Sequence, residues 1–170
     1  MILAFGDSIT YGTGAAPAES YPAVLERLTG RKVVNAGVPG ELSAAGLQRL
    51  PELLAQEKPA LLLLCHGGND LLQHLDRQAT ADNLRAMVRL AREQGVAVVL
   101  VSVPAPDLSL SPPPFYAEIA KEFRIPCAAK TLTRILGKGS LKSDYIHPNA
   151  TGYRQLAEDL AKLLTKRGAL

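Results

Sequence analysis

The chain has 170 residues, 47% of them hydrophobic and 21% charged, which suits a domain with one substantial buried core. Lys and Arg outnumber Asp and Glu by 19 to 16, and the net charge of +3 is scattered, so neither a basic arm nor an aromatic platform for nucleic acid is present. The longest apolar run, residues 60–65, has the length of a buried strand and excludes a membrane-spanning helix.

In chain order, apolar runs at 2–5, 32–35, 60–65, 96–103 and 125–128 read as strands. Residues 61–64 and 98–101 are unbroken apolar stretches, as in strands covered on both faces. Met1 abuts the first run, leaving no visible leader; the chain as written reads as cytoplasmic, or as periplasmic or secreted if a leader was removed. Helices alternate with the runs. The spacing predicts one over 20–29, carrying Val24, Leu25 and Leu28 and stopping at Gly30. A second spans 43–57, with Pro51 expected to kink it or to begin a new short helix. A third, 80–94, sets Leu84, Met87, Val88 and Ala91 opposite Arg85, Arg89 and Arg92, with Thr80 as its cap and Gly95 at its end. Shorter candidates follow at 114–123 and 131–136. The last, 149–165, carries the stripe Tyr153, Leu156, Ala157, Leu160, Leu163 and Leu164. This alternation predicts one α/β layered domain over 1–170 with a mainly parallel sheet.

In such a sheet ligands bind at the C-terminal ends of the strands. Ser8 follows the first strand, Gly37 the second and Asn69 the third, while Asp144 and His147 lie on the loop leading into the last helix. Each segment alone reads as an ordinary turn or helix entry; together they hold what acyl transfer from serine requires. Ser8 is the candidate nucleophile and His147 its base. Asp144, three residues earlier, can reach the same imidazole from one turn. Neither His66 nor His74 has a carboxylate in a comparable local frame. Pro148 suits the first turn of the helix after His147. The Ser8 and Gly37 N–H groups and the Asn69 carboxamide are candidate oxyanion donors. Asp7 and Asp70 are read as supports that bond nearby backbone N–H groups and stiffen the two loops. Segment 71–79, with Leu71, Leu72 and Leu75, and the proline-rich 104–113 are candidate walls of an acyl site.

These residues resemble the SGNH hydrolases of the GDSL esterase/lipase family, named for Ser, Gly, Asn and His. Phe5-Gly6-Asp7-Ser8, Asn35-Ala36-Gly37, Gly67-Gly68-Asn69-Asp70 and His147-Pro148-Asn149 match in order, and Asp144 matches the triad acid. The resemblance runs from Ile2 to about Leu164 and looks strongest toward the compact bacterial thioesterase I, lysophospholipase L1 and arylesterase branch. It implies a three-layer α/β/α sandwich on a flavodoxin-like five-stranded parallel sheet of order 2-1-3-4-5. It also implies ester or thioester hydrolysis through an acyl-enzyme on a small substrate, with no cofactor and no metal. No nucleic-acid partner, no stable membrane anchoring and a monomer or weak dimer are the matching expectations. The chain departs from the family after Gly37, where Val38-Pro39-Gly40-Glu41-Leu42-Ser43 replaces the usual Gly-Asp/Asn-Thr-Thr type of turn.

The implied order places Cys65 and Cys127 two strands apart, about 9–10 Å, beyond disulfide reach, so free thiols are expected. A carbohydrate O-acetylesterase would use the same catalytic set on a smaller acyl group. A nucleotide- or flavin-binding module is the competing reading of another class. The glycines at 12 and 14 satisfy neither the P-loop nor the dinucleotide fingerprint, and such a module has no need of His147.

Overall fold

A computed structural model describes residues 1–166 and 168. Five parallel strands, β1 (Ile2–Gly6), β2 (Val33–Gly37), β3 (Leu61–Cys65), β4 (Ala97–Val101) and β5 (Cys127–Ala128), form one sheet in the order β2-β1-β3-β4-β5. β1 and β3 are buried along their whole length, which their unbroken apolar sequences require. β2, at the sheet edge, is only half covered. Helices lie on both faces, α2 (Tyr21–Thr29) against α8 (Ala150–Lys166), and α3 (Ser43–Glu57) against α5 (Arg77–Glu93). The short α1 (Ser8–Tyr11) and α4 (Gly68–Leu72) follow β1 and β3, and α6 (Phe115–Phe123) and α7 (Thr131–Leu136) flank β5. This is the expected three-layer sandwich.

The chain leaves β1 for β2 on one side and returns for β3 on the other, so a crevice opens beyond the C-terminal ends of β1 and β3. Register makes that edge level: Gly6 pairs with Gly37 on one side and Cys65 on the other. Both loops that leave β1 and β3 therefore start from the same height.

Several helix ends differ from the sequence reading. α5 starts three residues before Thr80, because Asp76 is the cap, accepting the Gln78 N–H at 2.8 Å. Thr80 is buried and donates instead to the Asp76 carbonyl at 3.0 Å. α3 runs unbroken through Pro51, since the buried Leu50 and Leu54 hold both halves on the sheet while the proline faces solvent. Pro148 lies ahead of α8 rather than in its first turn. It forms a bridge with Lys142, and Asn149 is the cap, accepting the Gly152 N–H at 3.0 Å. Cys65 and Cys127 are free thiols on β3 and β5, with β4 between them. Among the described residues no helix is long and apolar enough to cross a membrane.

Candidate active site

The crevice is built from loop geometry upward. Gly6 ends β1 where any Cβ would collide with the Cys65 carbonyl and the Thr10 hydroxyl, so only glycine permits the turn. Asp7 then caps α1, accepting the Ile9 N–H at 3.1 Å, and Ser8 becomes the first residue of that helix. At this position its N–H has no intrahelical acceptor and its side chain faces the crevice.

His147 Nε2 lies 2.9 Å from Ser8 Oγ. Its Nδ1 lies 2.8 Å from Asp144 Oδ2, so Nδ1 carries the proton and Nε2 faces the serine as acceptor. Asp144 Oδ1 accepts two more bonds, from the N–H groups of Ile146 at 2.9 Å and His147 at 2.8 Å. Burial raises the carboxyl pKa of Asp144, but these bonds from His147 and the main chain outweigh it and hold the group below its ordinary range. The loop is braced at its base, where Ser143 N–H meets the His147 carbonyl at 2.9 Å and Asn149 N–H the Leu141 carbonyl at 3.0 Å. Residues 139 apart in sequence thus form a serine–histidine–carboxylate chain.

Asn69, in the first turn of α4, lines the same crevice. Its Nδ2 donates to the Glu41 carbonyl at 3.0 Å and makes a long 3.4 Å contact with Asp7 Oδ2. Asp7 is buried, and burial pushes its carboxyl up although the bond from the Ile9 N–H pulls the other way. Asp70 is buried as well; it accepts Ser43 N–H at 2.9 Å and Ser43 Oγ–H at 2.6 Å, tying α4 to the start of α3.

Gly37 does not join this group as expected. Its N–H is already donated to Asn35 Oδ1 at 3.0 Å, and its Cα packs against the Tyr11 main chain, where a Cβ would collide. The glycine there serves close packing of β2 on α1. Gly40, three residues later, differs. Its φ of +77° demands glycine although a Cβ would meet nothing, and its N–H finds no acceptor among the described residues. The adjacent Glu41 carbonyl is the one that holds Asn69. His66 has no carboxylate in its local frame, as expected, but Glu41 Oε2, from 25 residues away, lies 3.0 Å from its Nε2.

An apolar pocket of about 430 Å³, its open mouth included, begins at Ser8 and His147. Ile9, Leu72, Val103, Pro106, Leu110 and Leu136 line it. Of the two expected walls, 104–113 supplies much of the lining; from 71–79 only Leu72 faces it, for Leu71 is buried in the fold and Leu75 borders a neighbouring cleft. A serine hydrogen-bonded to a histidine–carboxylate pair beside an apolar pocket is the arrangement of a serine hydrolase.

Residues 4–155 match the GDSL-like Lipase/Acylhydrolase family, and the chain belongs to it. It is 33% identical to "Esterase TesA" of Pseudomonas aeruginosa, over 94% of this chain and 85% of the relative. It is 30% identical to "Thioesterase 1/protease 1/lysophospholipase L1" of Escherichia coli K12, over 96% of this chain and 82% of that protein. A crystal structure of TesA superposes with a TM-score of 0.85 at 30% identity, covering 97% of this chain and 98% of the other.

Proposed function

We propose that the chain hydrolyses esters or thioesters of hydrophobic acyl groups, of the lysophospholipid, acyl-thioester or aryl ester type, through an acyl-enzyme on Ser8. The observation that carries the reading is the 2.9 Å contact between His147 Nε2 and Ser8 Oγ at the mouth of an apolar pocket. As Ser8 Oγ attacks the acyl carbonyl, its proton passes to His147 Nε2, and Asp144 stabilises the imidazolium. The carbonyl oxygen becomes an oxyanion facing the Ser8 N–H, the Asn69 amide and the Gly40 N–H, which takes the role first assigned to Gly37. His147 then protonates the leaving alcohol or thiol. Water repeats the sequence on the acyl-enzyme, giving the free acid and regenerating Ser8.

The acyl chain occupies the pocket lined by Ile9, Leu72 and Leu110, and each methylene buried there contributes about 0.8 kcal/mol. A panel of p-nitrophenyl esters and acyl thioesters of graded chain length tests the reading. Medium and long acyl groups are expected to exceed acetate in kcat/KM. Activity confined to acetate points instead to a carbohydrate O-acetylesterase, and none on any ester or thioester sinks the proposal.

A further inference from the structure

Glu41 lies in the turn that follows β2, and it is bonded, directly or through Arg49, to the chain at the ends of β1, β2 and β3. Its main-chain carbonyl accepts the Asn69 amide at 3.0 Å. Its carboxylate reaches the same loop by another route: Oε2 lies 3.0 Å from Nε2 of His66, which directly precedes Gly67-Gly68-Asn69. The His66 ring is fully buried, and its Nδ1 accepts the Gly67 N–H at 2.9 Å. That bond leaves the ring proton on Nε2, where it donates to Glu41. The His66 carbonyl is held in turn by Tyr116 Oη–H at 2.7 Å.

Arg49 completes the junction from α3. It donates to both Glu41 oxygens, at 2.6 and 2.8 Å, and its guanidinium lies 4.2 Å from the Phe5 ring centroid. The same guanidinium donates to the Ala36 carbonyl at 2.8 Å and the Gly6 carbonyl at 3.3 Å, the ends of β2 and β1. Burial raises the Glu41 carboxyl, yet the bonds from His66 and Arg49 prevail and lower it to about 2, so it is an anion at neutral pH. Nothing in this cluster reaches Ser8 Oγ or the pocket, so it takes no part in proton transfer. What it does control is direction. An asparagine amide has two N–H bonds in one plane, and pinning one on the Glu41 carbonyl fixes where the other points; that other one makes only the long 3.4 Å contact with Asp7 Oδ2. Gly40 N–H sits one residue from the same anchor.

We propose that Glu41, through His66 and Arg49, is a positioning residue for the oxyanion hole, latching the 38–42 loop to the Asn69 loop so that both donors meet one oxyanion. The inference rests on the acyl-hydrolase reading above. It names a cost: an oxyanion donor removed outright lowers the rate by roughly 100- to 1000-fold, and a donor left in place but loosened by the lost latch should cost about 10- to 100-fold.

The test compares the wild type with Glu41→Ala, Glu41→Gln and His66→Ala on one p-nitrophenyl ester, with active sites titrated by a fluorophosphonate. Glu41→Ala should lower kcat about 10- to 100-fold while KM stays within about threefold, because the interaction acts on the transition state. Affinity for a trifluoromethyl ketone, whose hemiketal oxyanion occupies the hole, should fall in parallel. Affinity for the matching amide, which forms no oxyanion, should not. Glu41→Gln keeps the side-chain length and one acceptor, and should fall between wild type and Glu41→Ala. It also keeps the test open if the alanine variants do not fold. His66→Ala should reproduce the kcat loss. Variants within twofold of wild-type kcat overturn the proposal, as do equal losses of affinity for the ketone and the amide. A wild type without activity would instead remove the acyl-hydrolase reading, so the two failures are separable.

Discussion

Replacing Asp144 by Asn tests the proton path most closely, because its magnitude can be worked out from three contacts. Asp144 Oδ1 accepts two main-chain N–H groups, from Ile146 and His147, and Oδ2 accepts the His147 ring proton. An Asn carboxamide keeps the two main-chain bonds only by turning its oxygen toward them. Its NH2 then faces Nδ1, which becomes an acceptor, and the ring proton moves to Nε2, pointing at Ser8 Oγ where no base is left. Flipping the amide restores the tautomer but sets NH2 against two donors and forfeits two bonds, about 2 kcal/mol in all. The imidazolium also loses its carboxylate. At 52% side-chain exposure for Asp144, that attraction is intermediate between the surface and bulk-water limits, again about 2 kcal/mol. Together these remove about 4 kcal/mol of transition-state stabilisation, close to a 1000-fold loss of kcat/KM. Initial rates on a p-nitrophenyl ester measure it, and the melting temperature should hold within about 2 °C because the main-chain caps survive. A loss below tenfold in a folded variant would refute the tautomer argument.

Three further outcomes follow from the same geometry. Ser43→Ala removes a buried hydroxyl that donates to Asp70 at 2.6 Å and accepts from Asn83 at 2.9 Å, so urea unfolding should show a loss of about 1–3 kcal/mol at unchanged m. The Glu41 carboxyl is lowered in the fold from 4.5 to about 2, and a lowered carboxyl stabilises fully above its unfolded value and loses that contribution as pH falls through its folded one. The stability gap between wild type and Glu41→Gln should therefore be widest above about pH 5 and close toward about pH 2; a gap that widens in acid contradicts the assignment. Leu110 lines the pocket at a φ of +46° and is pinned where Thr133 Oγ–H meets its carbonyl at 2.9 Å. Leu110→Ala should raise the preference for longer acyl chains by about fourfold in kcat/KM per methylene newly accommodated, and an unchanged chain-length profile would show that Leu110 does not limit the pocket.

The strands were legible because β1 and β3 are apolar at every position, a pattern that only burial on both faces explains. The hydrogen-bonded chain Ser8–His147–Asp144 was legible because Asp144 and His147 are local neighbours whose spacing fits one turn, leaving only Ser8 to be brought from afar. Where a local rule had two candidates, the sequence reading chose the wrong one. Asp76 and Thr80 both suit a helix cap, and only the position of buried Leu84 and Met87 on the sheet decides between them. Gly37 and Gly40 both sit near the end of β2. One is glycine for close packing and the other for a left-handed φ, and a bare sequence prints the same letter for both. The Glu41–His66 pair had no signal at all. It joins loops 25 residues apart, and a buried histidine bonded to a distant glutamate looks in sequence like two unrelated polar residues.

The mechanism requires Ser8 to be chemically distinct from every other serine in the chain. Peptide mapping by mass spectrometry after brief treatment of the folded protein with a fluorophosphonate reads that directly. One adduct per chain is expected, on Ser8, absent in Ser8→Ala and formed far more slowly in His147→Ala. A folded, untreated-like protein that takes up no label, or that carries it on another residue, would contradict the claim that His147 activates Ser8.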